Sequence, residues 1–181
     1  MQKKVSELQS LELFTSENGG LRPFGRVVDL LFDDDSWKVR YLVVQVESPL
    51  SGRVLVSPSV TTNIDFEEHR IESTQTAQQI AETPLQNNGR LLSAAEICGY
   101  TVESQIGPVG RLEDLVIDMK SWIADYAKAD SVSWLATQSS MFSTTRISEV
   151  NWKTHRIHVD LQPEVLQPVF PSAGLNTTSR N

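Results

Sequence analysis

Three histidines are the residues in this sequence best suited to acid–base or metal chemistry, because imidazole titrates near neutral pH and ligates metal ions. His155 and His158 lie three residues apart on a predicted strand, where alternation directs their side chains to opposite faces. The pair is therefore unable to grip one zinc ion. His69 and His155 occupy equivalent places in two similar stretches of the chain, which favours a role in a turn. Because the sequence has no ligand set with the spacing of a metal site, we predict that no metal is bound.

Carboxylates form a second group with chemical potential. Residues 33–35 are three consecutive aspartates, and calcium prefers carboxylate oxygens. This run lacks the glycine and the distal glutamate of an EF-hand loop, so a solvated hairpin turn is the favoured interpretation. Asp29 and Asp114 lie inside predicted strands, where we expect them to face solvent or to pair with a nearby donor such as Arg26 or Arg111. A general base needs a second group and a cleft, and the sequence identifies neither.

Motifs for nucleophilic or cofactor chemistry are missing from the sequence. Cys98 has no basic neighbour to activate its thiol, and we expect it to act as a small buried hydrophobe. No Gly-x-Ser-x-Gly elbow and no phosphate-cradling glycine loop occur. We therefore predict a protein that has no catalytic residues, binds no cofactor and is not an enzyme.

Charge and composition narrow the classes of partner. The chain has 181 residues, of which 39% are hydrophobic and 22% are charged, and this balance is typical of a protein with a buried core. Its formal net charge of −7 and its scattered basic residues argue against direct binding of nucleic acid or anionic lipid. No apolar stretch approaches the ~20 residues of a transmembrane helix, so we predict no membrane insertion. One cysteine, and a start without an apolar signal core, indicate a cytoplasmic protein.

The chain contains an internal duplication. Residues 25–41 and 110–126 align at an offset of 85 (110 − 25), with eight of 17 positions identical. The identical pairs are Gly25/Gly110, Arg26/Arg111, Asp29/Asp114, Leu30/Leu115, Asp33/Asp118, Ser36/Ser121, Trp37/Trp122 and Tyr41/Tyr126. Further on, 69–71 and 155–157 both read His-Arg-Ile, at an offset of 86 (155 − 69), and before the main match 6–8 corresponds more weakly to 95–97. Spacing held over so much chain predicts two copies of one module.

Each copy reads as short strands separated by turn residues. In the first copy, Phe24, Val28, Leu30 and Phe32 share one phase of an alternating pattern, and a polar turn follows over 33–36. The other predicted elements are strands over 37–46, 53–56 and 69–73 and short helices over 74–83 and 163–168. This spacing of strands and turns favours a small barrel or sandwich.

The second copy has diverged from the first. Alanines within 126–130 pack a pleated surface poorly, and 137–145 is polar where the first copy has a firm strand over 54–56. We expect the second module to be less stable, or to be covered by the first module, by a protein partner or by a second chain in a homodimer. Trp134 and Phe142 lie in or near this polar stretch and are the candidate partner surface.

The duplicated residues resemble the pattern of the PRC-barrel family, with glycine, aspartate, aspartate, tryptophan and tyrosine at four-residue intervals. The pattern is carried by Gly25, Asp29, Asp33, Trp37 and Tyr41 with a later Ser57-Pro58, and again by Gly110, Asp114, Asp118, Trp122 and Tyr126 without a Ser-Pro. The opening over 91–100 is also similar to the family's first strand with its Gly-Tyr. The resemblance implies a mainly β chain of two tandem PRC-type β-barrels, about six strands each, with short helical segments. The modules would span 1–84 and 91–170, with a linker over 85–90 and a flexible tail over 171–181.

The same resemblance implies a role in protein contacts, since the family supplies no catalytic residues to carry over. Our leading hypothesis is a non-enzymatic adaptor with an unidentified protein partner. Two alternatives come from relatives: an accessory of photosynthetic electron transfer, like the reaction-centre H subunit barrel, and a ribosome-assembly factor, like RimM. The sequence shows neither the transmembrane helix of the first nor the separate N-terminal domain of the second. Trp37 and Trp122 are expected to pack in the core or barrel rim, because their position is duplicated.

Overall fold

Strands dominate the computed structural model of this chain, which describes residues 1–46, 52–82, 90–105, 107–131 and 139–161. Some predictions fall outside those residues: the helix over 163–168, the tail over 171–181, most of the linker over 85–90, and the candidate surface residue Trp134. The described residues form two seven-stranded sheets. The mainly β fold predicted from the sequence is confirmed.

The elements are short apart from two long strands. In chain order the strands are β1 (Gln2–Lys4), β2 (Glu12–Glu17), β3 (Gly20–Asp33), β4 (Val39–Val46), β5 (Gly52–Val56), β6 (Thr61–Asp65), β7 (Arg70–Ser73), β8 (Leu91–Ser93), β9 (Thr101–Ser104), β10 (Gly107–Asp118), β11 (Ile123–Ser131), β12 (Ser139–Ser143), β13 (Ile147–Asn151) and β14 (Arg156–Val159). The helices are α1 (Val5–Leu8), α2 (Ala77–Glu82) and α3 (Ala94–Ile97), with 3-10 helices at Pro58–Val60 and Thr144–Arg146. The predicted helix over 74–83 corresponds to α2, and the three predicted strands after the first turn correspond to β4, β5 and β7.

The two sheets repeat one connectivity. Strand order is β5-β4-β3-β2-β7-β6 in the first sheet and β12-β11-β10-β9-β14-β13 in the second, so each strand's counterpart stands seven strands later. In both sheets one pair is parallel, β2 with β7 and β9 with β14, and the other neighbours are antiparallel. The duplication inferred from residue spacing is therefore visible as a repeated topology.

A β-bulge at the same place in each half decides which side chains reach the core. Val28 is the extra residue of β3, since its pairing with β4 shifts between Val27 and Asp29, and Glu113 is the counterpart in β10. Val27 and Leu30 are both buried although they lie three residues apart, while Val28 is only half-buried. The predicted single phase through Val28 is wrong, because strict alternation ends where the bulge inserts one residue.

Each sheet takes its seventh strand from the other half of the chain. Strand β1 pairs with β10, and β8 pairs with β3. We call β1 with α1, and β8 with α3, the lead-in segments. Strand β1 pairs with the second half before the chain enters the first half at β2. Strand β8 likewise pairs with the first half before the chain enters the second half at β9. The predicted modules describe the repeat along the chain, whereas the sheets exchange their first strands across the linker.

A buried aspartate in each sheet holds the lead-in segment of the other half. Asp29 is 9% exposed and accepts hydrogen bonds from Ser93 Oγ at 2.5 Å and from Ala95 N at 2.9 Å. Asp114 is 7% exposed and accepts from Ser6 Oγ at 2.5 Å and from Ser6 N at 3.4 Å. Each carboxylate also accepts the N–H of the next residue in its own strand at 2.8 Å. The two halves are thus joined by charge-assisted hydrogen bonds with little access to water.

The expectation for these two aspartates is met only in part. Asp29 and Asp114 do pair with donors, but the donors belong to the other half and not to Arg26 or Arg111. They do not face solvent, because the preceding bulge turns both carboxylates inward. A carboxylate buried in this way requires donors, and the lead-in segment supplies them.

The turn after each long strand is built by a second pair of aspartates. Asp33 Oδ1 accepts from Ser36 N at 3.0 Å and Ser36 Oγ at 2.9 Å, and these bonds lower the pKa of the Asp33 carboxyl. Asp118 and Ser121 repeat the arrangement, with the Asp118 pKa lowered by hydrogen bonds from Lys120 N and Ser121. The predicted polar turn is therefore present in both halves.

Each turn ends on a tryptophan in the left-handed region of backbone space. Trp37 has a φ of +56° and Trp122 a φ of +57°. The Trp37 carbonyl accepts from Ala124 N at 2.9 Å, and the Trp122 carbonyl accepts from Val39 N at 2.7 Å. The predicted strand over 37–46 begins at Trp37, but in the structure both tryptophans precede their strands, which start at Val39 and Ile123. Their unusual conformation directs the two carbonyl groups across to the other half.

The halves share one hydrophobic core. The cluster of buried side chains contains residues from both sheets and from both lead-in segments. Val5, Leu8, Ala94 and Ile97 of the two short helices are each no more than 2% exposed. Trp37 is 6% exposed and belongs to the same cluster, with Trp122 packed against it. Burial of this apolar surface adds to the hydrogen bonds that hold the halves together.

The second half compensates for its small residues. Ala127 in β11 pairs with Phe142 in β12, where the first half pairs Leu42 with Val56. Phe142 is 2% exposed and fills the space that the alanine leaves. Phe142 lies in β12, within the polar stretch over 137–145, and its place in the core removes it from the candidate partner surface.

Gly25 is required by a close approach of two strands. A Cβ at this position would press on the Gln45 carbonyl and lie 2.9 Å from Cγ1 of Val44, whereas a Cβ at Gly20 would meet nothing closer than 3.9 Å. We expect Gly25→Ala to destabilise the protein by roughly 1–3 kcal/mol and Gly20→Ala to change stability by less than about 0.5 kcal/mol. Urea unfolding followed by tryptophan fluorescence measures both. Equal stability of the two variants would contradict the geometry.

Removal of the Asp29 carboxylate should weaken the link between the halves. Asp29→Ala leaves Ser93 Oγ and Ala95 N without their acceptor, and we expect a loss of about 2–4 kcal/mol in the free energy of unfolding. Asp130→Ala, at an exposed position of β11, is the control and should cost less than about 0.5 kcal/mol. The same urea titration compares them. A loss of stability no larger than that of the control would show that the buried hydrogen bonds do not stabilise the link between the halves.

Candidate functional site

A concavity of the described surface lies where the two halves meet. We call it the junction groove; it has a volume of about 460 Å³. One wall is the turn of the first half and the other is formed by β11 and the β12–β13 connection of the second. The lining residues are Asp34, Asp35, Ser36, Trp37, Ile123, Asp125, Tyr126, Ser143, Thr144, Thr145, Ile147 and Ser148. Neither half contains this groove by itself.

Two aromatic residues of the duplicated pattern meet in the junction groove. Trp37 is buried against Phe32, with ring centroids 6.5 Å apart, and contributes to the groove lining. Tyr126 is 37% exposed and is one of few large apolar side chains that the described surface presents to solvent. An exposed aromatic ring with a polar hydroxyl, in a groove that a buried indole also lines, is a common feature of protein-binding surfaces. The sequence pattern did not show that tryptophan from one copy and tyrosine from the other come together.

Hydroxyl side chains from residues 143–145 line one side of the groove, and the sequence did not reveal the role of this segment. Ser143 Oγ accepts from Thr145 N at 3.3 Å and so caps the 3-10 helix at Thr144–Arg146. The buried Thr144 hydroxyl donates to the Ala124 carbonyl at 2.6 Å. Ser57-Pro58 forms the equivalent cap in the first half. The sequence signal that could have located this 3-10 helix is Ser143-Thr144, which stands where the first copy has Ser57-Pro58.

A smaller cavity of about 200 Å³ continues from the groove. It shares Asp34, Asp35, Trp37, Ile147 and Ser148 with the junction groove, so the two form one continuous depression. The far end is aromatic and basic: Arg90 lies over the Trp152 ring at 4.5 Å, and Tyr100 meets the same ring edge-on at 6.2 Å. Sequence patterns gave no indication of this cluster, because its members come from separate elements.

Carboxylates dominate the charge of the depression. Asp34, Asp35 and Asp125 line the groove, and Glu149 lines the continuation, whereas Arg90 is the one basic side chain among the described lining residues. Among the described residues, the group at 33–35 has ligand oxygens within 4.8 Å of one another. Asp33 already serves the turn through Ser36, which fits the predicted solvated turn. The depression is therefore suited to cationic groups.

Among the described lining residues of this depression there is no histidine, and His69 and His155 serve backbone turns. His69 and His155 are exposed and have φ values of +49° and +54°. Their carbonyls accept from Glu12 N at 2.8 Å and from Thr101 N at 3.0 Å, which ties each hairpin turn to the neighbouring strand. His155 precedes β14 and is not on a strand, whereas His158 is in β14 and half-buried. The turn role inferred from the duplicated position agrees with this geometry.

Cys98 lies at the end of α3, close to both interlocking aspartates. Burial raises the pKa of its thiol to about 11, with further contributions from Asp114 and Asp29. The residue is half-buried, less than the sequence interpretation expected. A thiol with so high a pKa is a poor nucleophile at neutral pH.

The thiol should therefore react slowly in the folded protein. At pH 8 we expect a disulfide reagent to modify native Cys98 about 100-fold more slowly than Cys98 in the urea-unfolded chain, because the thiolate fraction is smaller. Release of the coloured thiol product gives both rates. Equal rates, after correction for the reagent's own dependence on urea, would show that the native environment does not suppress ionisation.

Comparisons with known proteins leave the family open. No protein-family model matches the chain, and no curated protein matches it. Across the described residues, no helix combines the length and apolar character needed to cross a bilayer.

Proposed function

We propose that this chain is a non-catalytic adaptor that binds a protein partner through the junction groove. The observation that carries the proposal is Tyr126, exposed in a concavity that exists only because two halves interlock. The surrounding hydroxyls and carboxylates offer hydrogen-bond partners to a polypeptide. A buried aromatic floor with a polar rim is the arrangement that protein interfaces use.

The chemistry of the lining supports binding rather than turnover. Its described residues include carboxylates and hydroxyls but neither histidine nor cysteine. The Thr144 hydroxyl is engaged with a backbone carbonyl, and Ser143 caps a helix. A nucleophile would need an adjacent base, and these hydroxyls are occupied by structural bonds.

The proposal includes PRC-type barrels as the scaffold. In each half, the terminal strands of the six-strand path are neighbours in sequence, β5 with β6 and β12 with β13, joined by a 3-10 helix. Five residue steps from Val56 to Thr61 span at most about 18 Å, so the two ends of the path stay close. This supports closure of each sheet into a small barrel. The pattern residues would then serve the scaffold: Gly25 at a strand contact, Asp29 at the interlock and Asp33 in the turn.

A photo-crosslinking amino acid in place of Tyr126 tests the adaptor function. Expressed as the full chain in the cells that make the protein, it should form an adduct with a discrete protein species. The matched control carries the same crosslinker at Leu21, which is 45% exposed and does not line the groove. Mass spectrometry identifies the captured protein.

Tyr126→Ala gives an independent measure. We expect it to weaken binding of the captured protein at least roughly tenfold, as loss of a central aromatic contact does. Leu21→Ala should leave that affinity unchanged. Absence of an adduct at position 126, or the same adducts from both positions, would overturn the proposed function.

A further inference from the structure

A local two-fold axis relates the halves at the junction. Lys38 pairs with Ile123, which is its own counterpart in the repeat (38 + 85 = 123). The flanking bonds, between Trp37 and Ala124 and between Trp122 and Val39, are counterparts of each other at the same offset. The axis therefore passes between Lys38 and Ile123, and every groove position on one side has an equivalent on the other.

Two of the equivalent pairs carry opposite charges. Asp35 corresponds to Lys120 (35 + 85 = 120), and Asp125 corresponds to Arg40 (40 + 85 = 125). Lys38 itself corresponds to Ile123, which lines the groove. We call Lys38, Arg40 and Lys120 the counter-face. Duplication has thus produced an acidic groove and a basic counter-face from one ancestral arrangement.

The backbone supports this equivalence. Asp35 and Lys120 occupy the same turn, since Trp37 and Trp122 end both turns with φ values within 1° of each other. Asp125 and Arg40 are each the extra residue of the second bulge, where pairing with the long strand shifts. Side chains at these positions therefore leave the backbone in the same directions relative to the axis.

The counter-face is available to a partner. Lys38, Arg40 and Lys120 are exposed, and Arg40 Nε lies 3.9 Å from Asp33, at the outer limit of an ion pair. Directly opposed residues of an antiparallel bridge point to the same side, so Lys38 projects from the side on which Ile123 lines the groove. The acidic groove and the basic counter-face consequently lie side by side on one surface.

From this arrangement we infer that the occupant of the junction groove is a second copy of the chain. The dimer axis is distinct from the local axis within one chain, and it lies in the contact surface between the groove and the counter-face. Rotation of one copy about this axis places each groove over the partner's counter-face. The contact is then made twice, as in a closed symmetric dimer. The inference rests on the proposed function and names the protein that the groove binds. The net charge of −7 makes two copies repel at a distance, so the local match of charge must provide the attraction.

Transplanting charges between equivalent positions tests this dimer. Asp35→Lys with Asp125→Arg makes both regions basic, and Arg40→Asp with Lys120→Asp makes both regions acidic. Each substitution introduces the residue that the other half already carries at that place. Sedimentation velocity over a dilution series should show a wild-type dimer, and each double variant should self-associate at least roughly tenfold more weakly. An equimolar mixture of the two double variants should dimerise again.

The quadruple variant is the matched control. It exchanges the charges between the two regions and keeps the formal net charge at −7. We expect it to dimerise as the wild type does, and dimerisation of both to weaken as salt is raised. Circular dichroism verifies folding; should a double variant unfold, the single variants Asp35→Lys and Lys120→Asp replace the pair in the mixing experiment.

Two results would overturn the inference. The first is a wild-type protein that stays monomeric at every concentration, and the second is a dimer that the charge exchanges leave unchanged. The crosslinker at position 126 separates this failure from failure of the adaptor proposal. An adduct with a different protein would leave the adaptor function standing while removing the second copy as the occupant.

Discussion

The fold depends on two buried carboxylates that take most of their hydrogen-bond donors from the opposite half. Asp29 and Asp114 lie behind a bulge that turns them away from solvent, and a charge in that position is costly without donors. The donors come from the lead-in segment of the other half, through Ser93 and Ala95 in one case and Ser6 in the other. Neither sheet is therefore complete without the chain on the far side of the linker, and the apolar residues of the exchanged helices extend one core through both halves.

The interlock also explains where the candidate site lies. The left-handed tryptophans join the two turns through their carbonyls, and a bulky residue in that conformation stores about 1–2 kcal/mol of strain that the surrounding structure must offset. Because the turns meet there, a groove forms with one wall from each half. Trp37 takes part in both roles, since it is buried in the shared core and lines the groove. The proposed binding surface therefore shares a side chain with the core.

Divergence of the two copies follows the distinction between interior and surface. Inside, change is compensated: Ala127 opposite Phe142 keeps roughly the volume of Leu42 opposite Val56. At the turns and bulges the residues that build the backbone, Asp33 with Ser36 and Asp118 with Ser121, are retained. Exposed positions between them have been free to change, and Asp35 against Lys120 is the result. Electrostatic asymmetry therefore arose without disturbing the pairing that holds the halves together.

Local sequence determined the strands, the polar turns and the duplication, because alternation, turn chemistry and spacing are properties of neighbouring residues. It failed at Val28, where a bulge changes the phase, since a single inserted residue leaves no mark in the pattern of apolar positions. It also gave no hint that the lead-in strands change sheets, because a three-residue strand does not encode which edge it pairs with. The junction groove was beyond reach for the same reason. Its residues come from three separated stretches, and only the packing of one half on the other brings Trp37 and Tyr126 into the lining of one groove.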